Sequence, residues 1–504
     1  MILPLLLAAA MPLHSLQAFP PQSRGKTPRS ARLAPAKATA GAGAIHWTEP
    51  RSGNDLAGDL ASMLTRVKSG KFGVIVYSIT HGDTLFERNA DMQMLPASTM
   101  KLFTSSLALD RFGANGKFET VVLRTGSISS DGTLRGDLVL RGAGDPTLSG
   151  KGFEAGAEPA MDALARQIAA AGVKRVTGSV VGDATAFLDG HVPDGWRTRY
   201  LQASYAARVS ALSFNENKIT LLIRPSGGHA ELTFQPAVSG LPVSNDVKVT
   251  ASSKGARIGV RQDSSGRLVV SGWIGSQSAQ RDYQVMVEGP ELLAAAALRA
   301  ALVAQGITID GSVRVGPAPS DATSIASFDS PPLQKIITQM NGESNNHFAE
   351  LLFRDAASSA GSPGSAENAN VLLRRFLYEK ASVAPISVFA ADGSGLSTLD
   401  RVTPRAMVQL LGYAKKAPWG AVLESSLPVA GETETLKHRM RYTPAMGNLH
   451  AKTGTTNDVA SLGGYVTAKN GEQLAFSFIY NGKDRWRAKE AMDAMGSTLA
   501  SFSR

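Results

Sequence analysis

The stretch Leu95-Pro96-Ala97-Ser98-Thr99-Met100-Lys101 sets a serine and a lysine three residues apart at the start of a helical run that ends around Gly113. On a helix that spacing puts both side chains on one face, a turn apart. A serine hydroxyl is a weak nucleophile until a nearby base takes its proton. A lysine is such a base once burial and neighbouring cations lower its pKa. The helix N-terminus adds backbone N–H groups aimed at a developing oxyanion. The pattern is weak by itself, since roughly two S-x-x-K matches are expected by chance in a chain of this size. Ser23-Arg24-Gly25-Lys26 is a second match, in a basic stretch without a helical signal. For Ser98 alone, a helix-capping serine beside an exposed lysine is the better reading.

The sequence on either side supplies a frame. Leu56, Leu60, Met63, Leu64 and Val67 recur at helical spacing, and Gly70 is expected to end that helix. Phe72 to Ile79 and Thr84 to Arg88 are β-rich runs around the turn His81-Gly82-Asp83. The C-terminal end mirrors this. Leu449 to Thr455 reads as a strand, and Gly463 to Lys469 and Glu472 to Tyr480 alternate around Asn470-Gly471, a strong hairpin signal. Arg485 to Phe502 reads as a closing amphipathic helix. The two ends are expected to join into one antiparallel sheet covered by helices, an α+β fold. Between them lie strand-and-turn units at Gly136–Leu140, Gly178–Asp183, Lys218–Ile223 and Arg267–Val270, with a helix at Pro290–Gln305. These read as one or two β-rich inserts, with no fixed-period repeat.

Two downstream motifs change the standing of Ser98. Lys452-Thr453-Gly454-Thr455 lies on the predicted C-terminal strand. A strand lysine with an adjacent hydroxyl can hold a substrate carboxylate. Gly454 lets a substrate backbone come close, and the Thr455 N–H is placed to complete an oxyanion hole. The bland reading is an edge strand guarded by a lysine. Ser344-Asn345-Asn346 precedes a helical stretch from His347 to Phe353. Its serine can relay a proton to a leaving amine and Asn346 can hold a substrate amide, although a simple helix cap also fits Ser344. Ser213-Phe214-Asn215 repeats the S-x-N pattern elsewhere, so the specific signal is the order and spacing of all three motifs.

Composition narrows the function classes. The chain has 504 residues, 43% hydrophobic and 19% charged, as in a multidomain globular protein. It has no cysteine, which excludes disulfides and thiolate chemistry. Its net charge of +10 favours anionic partners such as acidic wall polymers or a membrane surface. No Lys/Arg patch is interleaved with aromatics, which argues against nucleic acid. The eight histidines show no metal-ligand spacing and no nucleotide loop is present, so neither metal nor cofactor is expected. Residues 1–18 read as a signal peptide without a basic n-region, and residues 19–45 as a flexible linker. A secreted protein of the periplasm or cell-wall space, with at most peripheral membrane contact, is therefore expected.

Taken together, the motifs resemble the D-alanyl-D-alanine carboxypeptidase/endopeptidase family, also called the penicillin-binding protein 4 type. Gly142-Ala143-Gly144-Asp145-Pro146-Thr147-Leu148, Val209–Asn217 and Asp392-Gly393-Ser394-Gly395-Leu396-Ser397 extend the resemblance over about residues 50 to 500. It implies a transpeptidase/β-lactamase-like domain split by nested β-rich inserts. The catalytic domain would comprise 46–118 and 323–504, one insert 119–190 and 286–322, and a nested insert 191–285. The resemblance further implies a Ser98 nucleophile, a Lys101 base, proton relay and amide binding by Ser344 and Asn346, and carboxylate binding by Lys452, Thr453, Gly454 and Thr455. Its substrates would be peptidoglycan peptides ending in D-Ala-D-Ala or carrying D-Ala cross-links, and its covalent inhibitors β-lactams. One departure is Asn345, where many relatives carry Asp. A β-lactamase or esterase with the same serine–lysine pair, or a wall-binding or β-lactam-sensing protein without turnover, remains open at this point, as does the oligomeric state. Asp145 and Asp183 are read as turn residues rather than acids.

Overall fold

The computed structural model describes residues 43–504, apart from 189, 202, 252–253 and 264. The expected signal peptide and most of the expected linker lie outside the described residues. The last linker residues are already docked, because the Ile45 N–H donates to Glu490 Oε1 at 2.8 Å and the Thr48 N–H to Thr498 Oγ1 at 3.0 Å.

The two ends of the chain do share a sheet. It contains β1 (Lys71–Ser78), β2 (Thr84–Arg88), β3 (His450–Thr455), β4 (Val459–Thr467) and β5 (Gln473–Asn481), in the order β3-β4-β5-β1-β2. The seam is an antiparallel pairing with Lys71 opposite Asn481 and Ser78 opposite Leu474. Alternation sends successive side chains to opposite faces, and both faces are covered. Val74, Val76, Leu462, Phe476 and Phe478 pack against α1 (Gly53–Thr65) and a C-terminal helix, Arg485–Ser501. Ile75, Tyr465, Ala475 and Ile479 pack in a second core with α2 (Met100–Phe112), α3 (Leu333–Glu343), α4 (Asn346–Ser359) and α5 (Pro404–Ala414). Each fully buried Phe or Leu here stabilises the fold by about 1.5–3 kcal/mol.

Two expectations are corrected. Helix α1 stops at Thr65, because the chain bends at Ser69-Gly70 into β1. The C-terminal helix, α6 (Arg485–Ser501), is not amphipathic along its length, since nearly every residue from Ala491 to Ser501 is buried. It lies between the sheet and α1, and the incoming residues around Thr48 cover what remains.

The inserts leave the catalytic body after α2. Five strands, Val313–Val315, Val180–Asp183, Leu138–Arg141, Glu119–Arg124 and Thr323–Asp329, form one sheet in that order. The last of them pairs antiparallel with Glu119–Arg124, so this sheet runs on to Asp329, past the expected boundary at residue 322. A six-stranded sheet occupies Lys218 to Met286. The segment around 193–206, assigned from sequence to that nested unit, behaves otherwise. Trp196, Tyr200 and Ala206 pack with Leu396, and Ser397 Oγ donates to the Asp194 carbonyl at 2.6 Å.

Candidate active site

Ser98 sits in a single 3₁₀ turn, Ala97–Thr99, that runs into α2. The turn is tied to β4 through the Pro96 carbonyl, which accepts from Ser461 Oγ at 2.6 Å and from Thr99 Oγ1 at 2.8 Å. Ala97 has φ +47°, a left-handed conformation that a non-glycine residue holds only where its surroundings impose it. Two glycines make the close packing possible. A Cβ on Gly454 would lie 2.9 Å from the Ser98 backbone nitrogen and 2.8 Å from the Pro96 carbonyl. Gly395, at φ +84°, would drive a Cβ to 1.8 Å from the Ala97 carbonyl. The K-T-G strand and the D-G-S-G loop thus clamp the nucleophile turn from two sides.

Lys101 is fully buried. Its Nζ donates to Asn346 Oδ1 at 2.6 Å, to the Ser394 carbonyl at 2.8 Å and to Ser98 Oγ at 3.2 Å. All three partners are neutral. Burial lowers its pKa to about 8, against the opposing pull of Asp392, Glu350 and Asp400. A lysine so placed loses its proton far more readily than one in water.

Ser344 ends α3 in the left-handed conformation, φ 59° and ψ 40°. That single turn is why S-x-N works as a unit. It sends Ser344 to Lys452 and Asn346 to Lys101, while Asn345 caps α4 by accepting from the Phe348 N–H at 3.1 Å. The bland reading of Ser344 as the helix cap is therefore wrong, because Asn345 fills that role. The Asn345 side chain also lies near Glu216 and helps, after Lys218, to hold that carboxyl below its ordinary pKa. An Asp would set a second carboxylate there, so the departure from the common pattern suits its surroundings.

Lys452 is fully buried on β3, which removes the edge-guard reading. Its Nζ donates to Ser344 Oγ at 2.9 Å and to the Thr453 carbonyl at 3.0 Å. Burial and then the charge of Lys101 hold its pKa well below the ordinary lysine range. Thr453 Oγ1 lies 3.0 Å from Thr435 Oγ1, and Thr455 is exposed at the end of β3. Thus hydrogen bonds and close packing bring Ser98, Lys101, Ser344, Asn346, Lys452 and Gly454 together into one site, with Thr453 and Thr455 on the same strand, although up to 357 positions of a 504-residue chain separate the first from the last. His347 is buried beside it and held to a pKa of about 4 by burial, so it stays neutral. Asp145 and Asp183 do form turns, each accepting from the N–H two residues on, at 2.8 and 2.9 Å.

Sequence reasoning missed the layer beneath the cleft. Asp392 is buried and accepts from the N–H groups of Ser394 at 3.0 Å, Gly395 at 2.6 Å and Ser397 at 2.7 Å, and from Trp196 Nε1 at 2.7 Å. It shapes the loop that offers the Ser394 carbonyl to Lys101. Asp400 accepts from the Ala391 N–H at 2.9 Å, and burial followed by the charge of Asp392 raises its pKa well above the usual range. Glu350, a turn along α4 from Asn346, is raised to about 7 by burial and then by Asp392. The Tyr205 carbonyl accepts from Asn346 Nδ2 at 2.9 Å. D-G-S-G was the only local signal for any of these.

A helix-covered antiparallel sheet with a serine and a buried lysine at its edge defines a serine hydrolase of the penicillin-binding/β-lactamase-like fold. Residues 56–502 match the model of the D-Ala-D-Ala carboxypeptidase 3 (S13) family, and the chain belongs to that family. It is 33% identical over 453 residues to the D-alanyl-D-alanine carboxypeptidase of Actinomadura sp. strain R39, covering 86% of this chain and 81% of that one. To the D-alanyl-D-alanine carboxypeptidase DacB of Haemophilus influenzae it is 26% identical, over 87% of this chain and 90% of the relative. The crystal structure of penicillin-binding protein 4 from Haemophilus influenzae superposes with a TM-score of 0.72 at 26% identity, covering 86% of this chain and 98% of that one. A crystal structure of the same protein complexed with a β-lactam superposes with a TM-score of 0.67 at 25% identity, over the same shares.

Proposed function

We propose that the protein is a serine-type D-Ala-D-Ala carboxypeptidase, and a D,D-endopeptidase, of peptidoglycan stem peptides. The observation that carries this reading is the fully buried Lys101, 3.2 Å from Ser98 Oγ, in a cleft with Lys452 bonded to Ser344 at 2.9 Å. Neutral Lys101 takes the Ser98 proton as Oγ attacks the penultimate D-Ala carbonyl. The N–H groups of Ser98 and Thr455 receive the oxyanion. Ser344, held by Lys452, passes a proton to the departing amine, and the C–N bond breaks to give terminal D-Ala and an acyl-enzyme. Lys452, Thr453 and Thr455 hold the terminal carboxylate and Asn346 the peptide amide. Water, activated by the same base, then hydrolyses the ester and frees Ser98. β-Lactams acylate Ser98 in place of substrate and remain bound. The reading also places the protein outside the cytoplasmic membrane, where this substrate lies.

Release of D-Ala from a peptide ending in D-Ala-D-Ala tests the reading, together with mass spectrometry of the penicillin-labelled chain. Active wild type, inactive Ser98→Ala and a long-lived adduct on Ser98 are expected. An adduct on another residue overturns the mechanism. An adduct that hydrolyses quickly points to a β-lactamase, and an inactive wild type to a binding protein.

A further inference from the structure

Away from the cleft, the most unusual surface lies where the chain enters the fold. A groove of about 440 Å³ runs between Ile45–Trp47, α6 and residues 439–443. The 439–443 loop is pinned to α6, with Arg439 paired to Asp493 at 2.6 Å and Thr443 Oγ1 3.0 Å from Ser497 Oγ. Held in this way it presents Tyr442 to solvent, 91% exposed, at φ +60°. A bulky residue keeps that conformation only when its surroundings impose it. Trp486, in the first turn of α6, is 71% exposed, and Met446 is exposed as well. Trp486 lines the groove and Tyr442 stands on the loop that borders it, and large apolar side chains held in water mark an interaction surface.

The charges around it specify the partner. Lys437, His438 and Arg441 are exposed on the same loop, and Arg485 and Lys489 lie 5.6 and 5.1 Å from the Trp486 ring. Of the carboxylates that line the groove, Asp493 is engaged by Arg439 and Glu490 by Arg487, both at 2.6 Å. Burial and then the charges of Arg439 and Arg485 push the Lys489 pKa below its ordinary value, against the opposing charge of Asp493. The chain also enters on this side, where the Gly43 carbonyl accepts from Arg487. Ahead of Gly43 the sequence carries Arg24, Lys26, Arg29, Arg32 and Lys37, and no Asp or Glu precedes Glu49.

We propose that this face docks the protein on an anionic lipid bilayer. Tyr442, Trp486 and Met446 enter the headgroup layer, and Lys437, Arg441, Arg485 and Lys489 meet the lipid phosphates. Amphipathic rings beside a cluster of cations suit a surface that is anionic outside and apolar within. A soluble polyanion would leave the three apolar side chains in water.

The test is sedimentation of the full chain with vesicles of phosphatidylglycerol and phosphatidylcholine, against vesicles of phosphatidylcholine alone. Two exposed double variants, Tyr442→Ser/Trp486→Ser and Lys437→Glu/Arg441→Glu, are compared with wild type, each checked for an unchanged thermal midpoint. Wild type should bind only the anionic vesicles, and each variant should bind them about tenfold more weakly or worse. Absence of wild-type binding overturns the proposal. So does equal binding by wild type and both variants, which would assign the affinity to the basic residues before Gly43. Loss of vesicle binding with variant-sensitive binding to isolated wall polymer overturns it in favour of a wall-binding surface.

Discussion

Lys101 is where burial becomes chemistry. A pKa of about 8, set chiefly by burial, means that the neutral, proton-accepting form grows as pH rises through that value. The kcat/KM for D-Ala release should therefore climb about tenfold per pH unit on the acid side and level off above about 8. A pH–rate profile without that limb would remove Lys101 as base. Gly454 makes the second residue-scale prediction. In Gly454→Ala the new Cβ would meet Ser461 Oγ at 2.2 Å and the Ser98 nitrogen at 2.9 Å. The strand must retreat from the nucleophile turn, and one oxyanion donor goes with it. Penicillin acylation should slow by about 10²–10³-fold, as stopped-flow labelling would show, with the fold retained.

The elements matter through the loops that join them. The turn between α3 and α4 converts two adjacent helices into two ligands aimed at two different lysines, which no periodic pattern encodes. The D-G-S-G loop acts in a similar way, with Asp392 gathering four N–H donors to fix the Ser394 carbonyl against Lys101. Asp392 also holds Lys101 above the pKa that burial alone would give. Asp392→Asn should therefore lower kcat/KM by about tenfold or more and move the ascending pH limb to lower pH. A purely structural role for Asp392 would lower the rate and leave the limb in place.

Across the whole molecule, the insert meets the catalytic body through a pair of buried acids, Asp145 of the insert and Asp355 of α4. Burial raises Asp145 to about 6, while burial and then the charge of Asp145 raise Asp355 well above the usual range. A carboxyl whose folded pKa is raised stabilises the fold in acid, and that stability is lost as pH rises through the folded value. The shift from 3.8 to about 6 corresponds to a loss on the order of 3 kcal/mol between about pH 4 and 6. Asp145→Asn should keep the bond from the Thr147 N–H, flatten that dependence and raise the thermal midpoint at pH 7.5. Calorimetry at pH 4.5 and 7.5 decides the matter, and an unchanged pH dependence would show that the pair does not set it.

Sequence alone determined the frame and the reacting groups. Alternation around Asn470-Gly471, the apolar periods of the end helices and the order of S-x-x-K, S-x-N and K-T-G are local patterns, and local patterns survive in one dimension. That is why the sheet, its helices and the cleft residues were legible. Tertiary structure decided what each group experiences. Whether Lys101 and Lys452 are buried, which carboxyls lie beneath them, and that the segment around Trp196 and Tyr205 closes over the catalytic body all depend on contacts between distant parts of the chain. The same holds for the strand Thr323–Asp329, whose partner lies some two hundred residues earlier in the sequence. Motif spacing names a nucleophile, but burial and hydrogen-bond partners set its reactivity, and those exist only once the chain has folded.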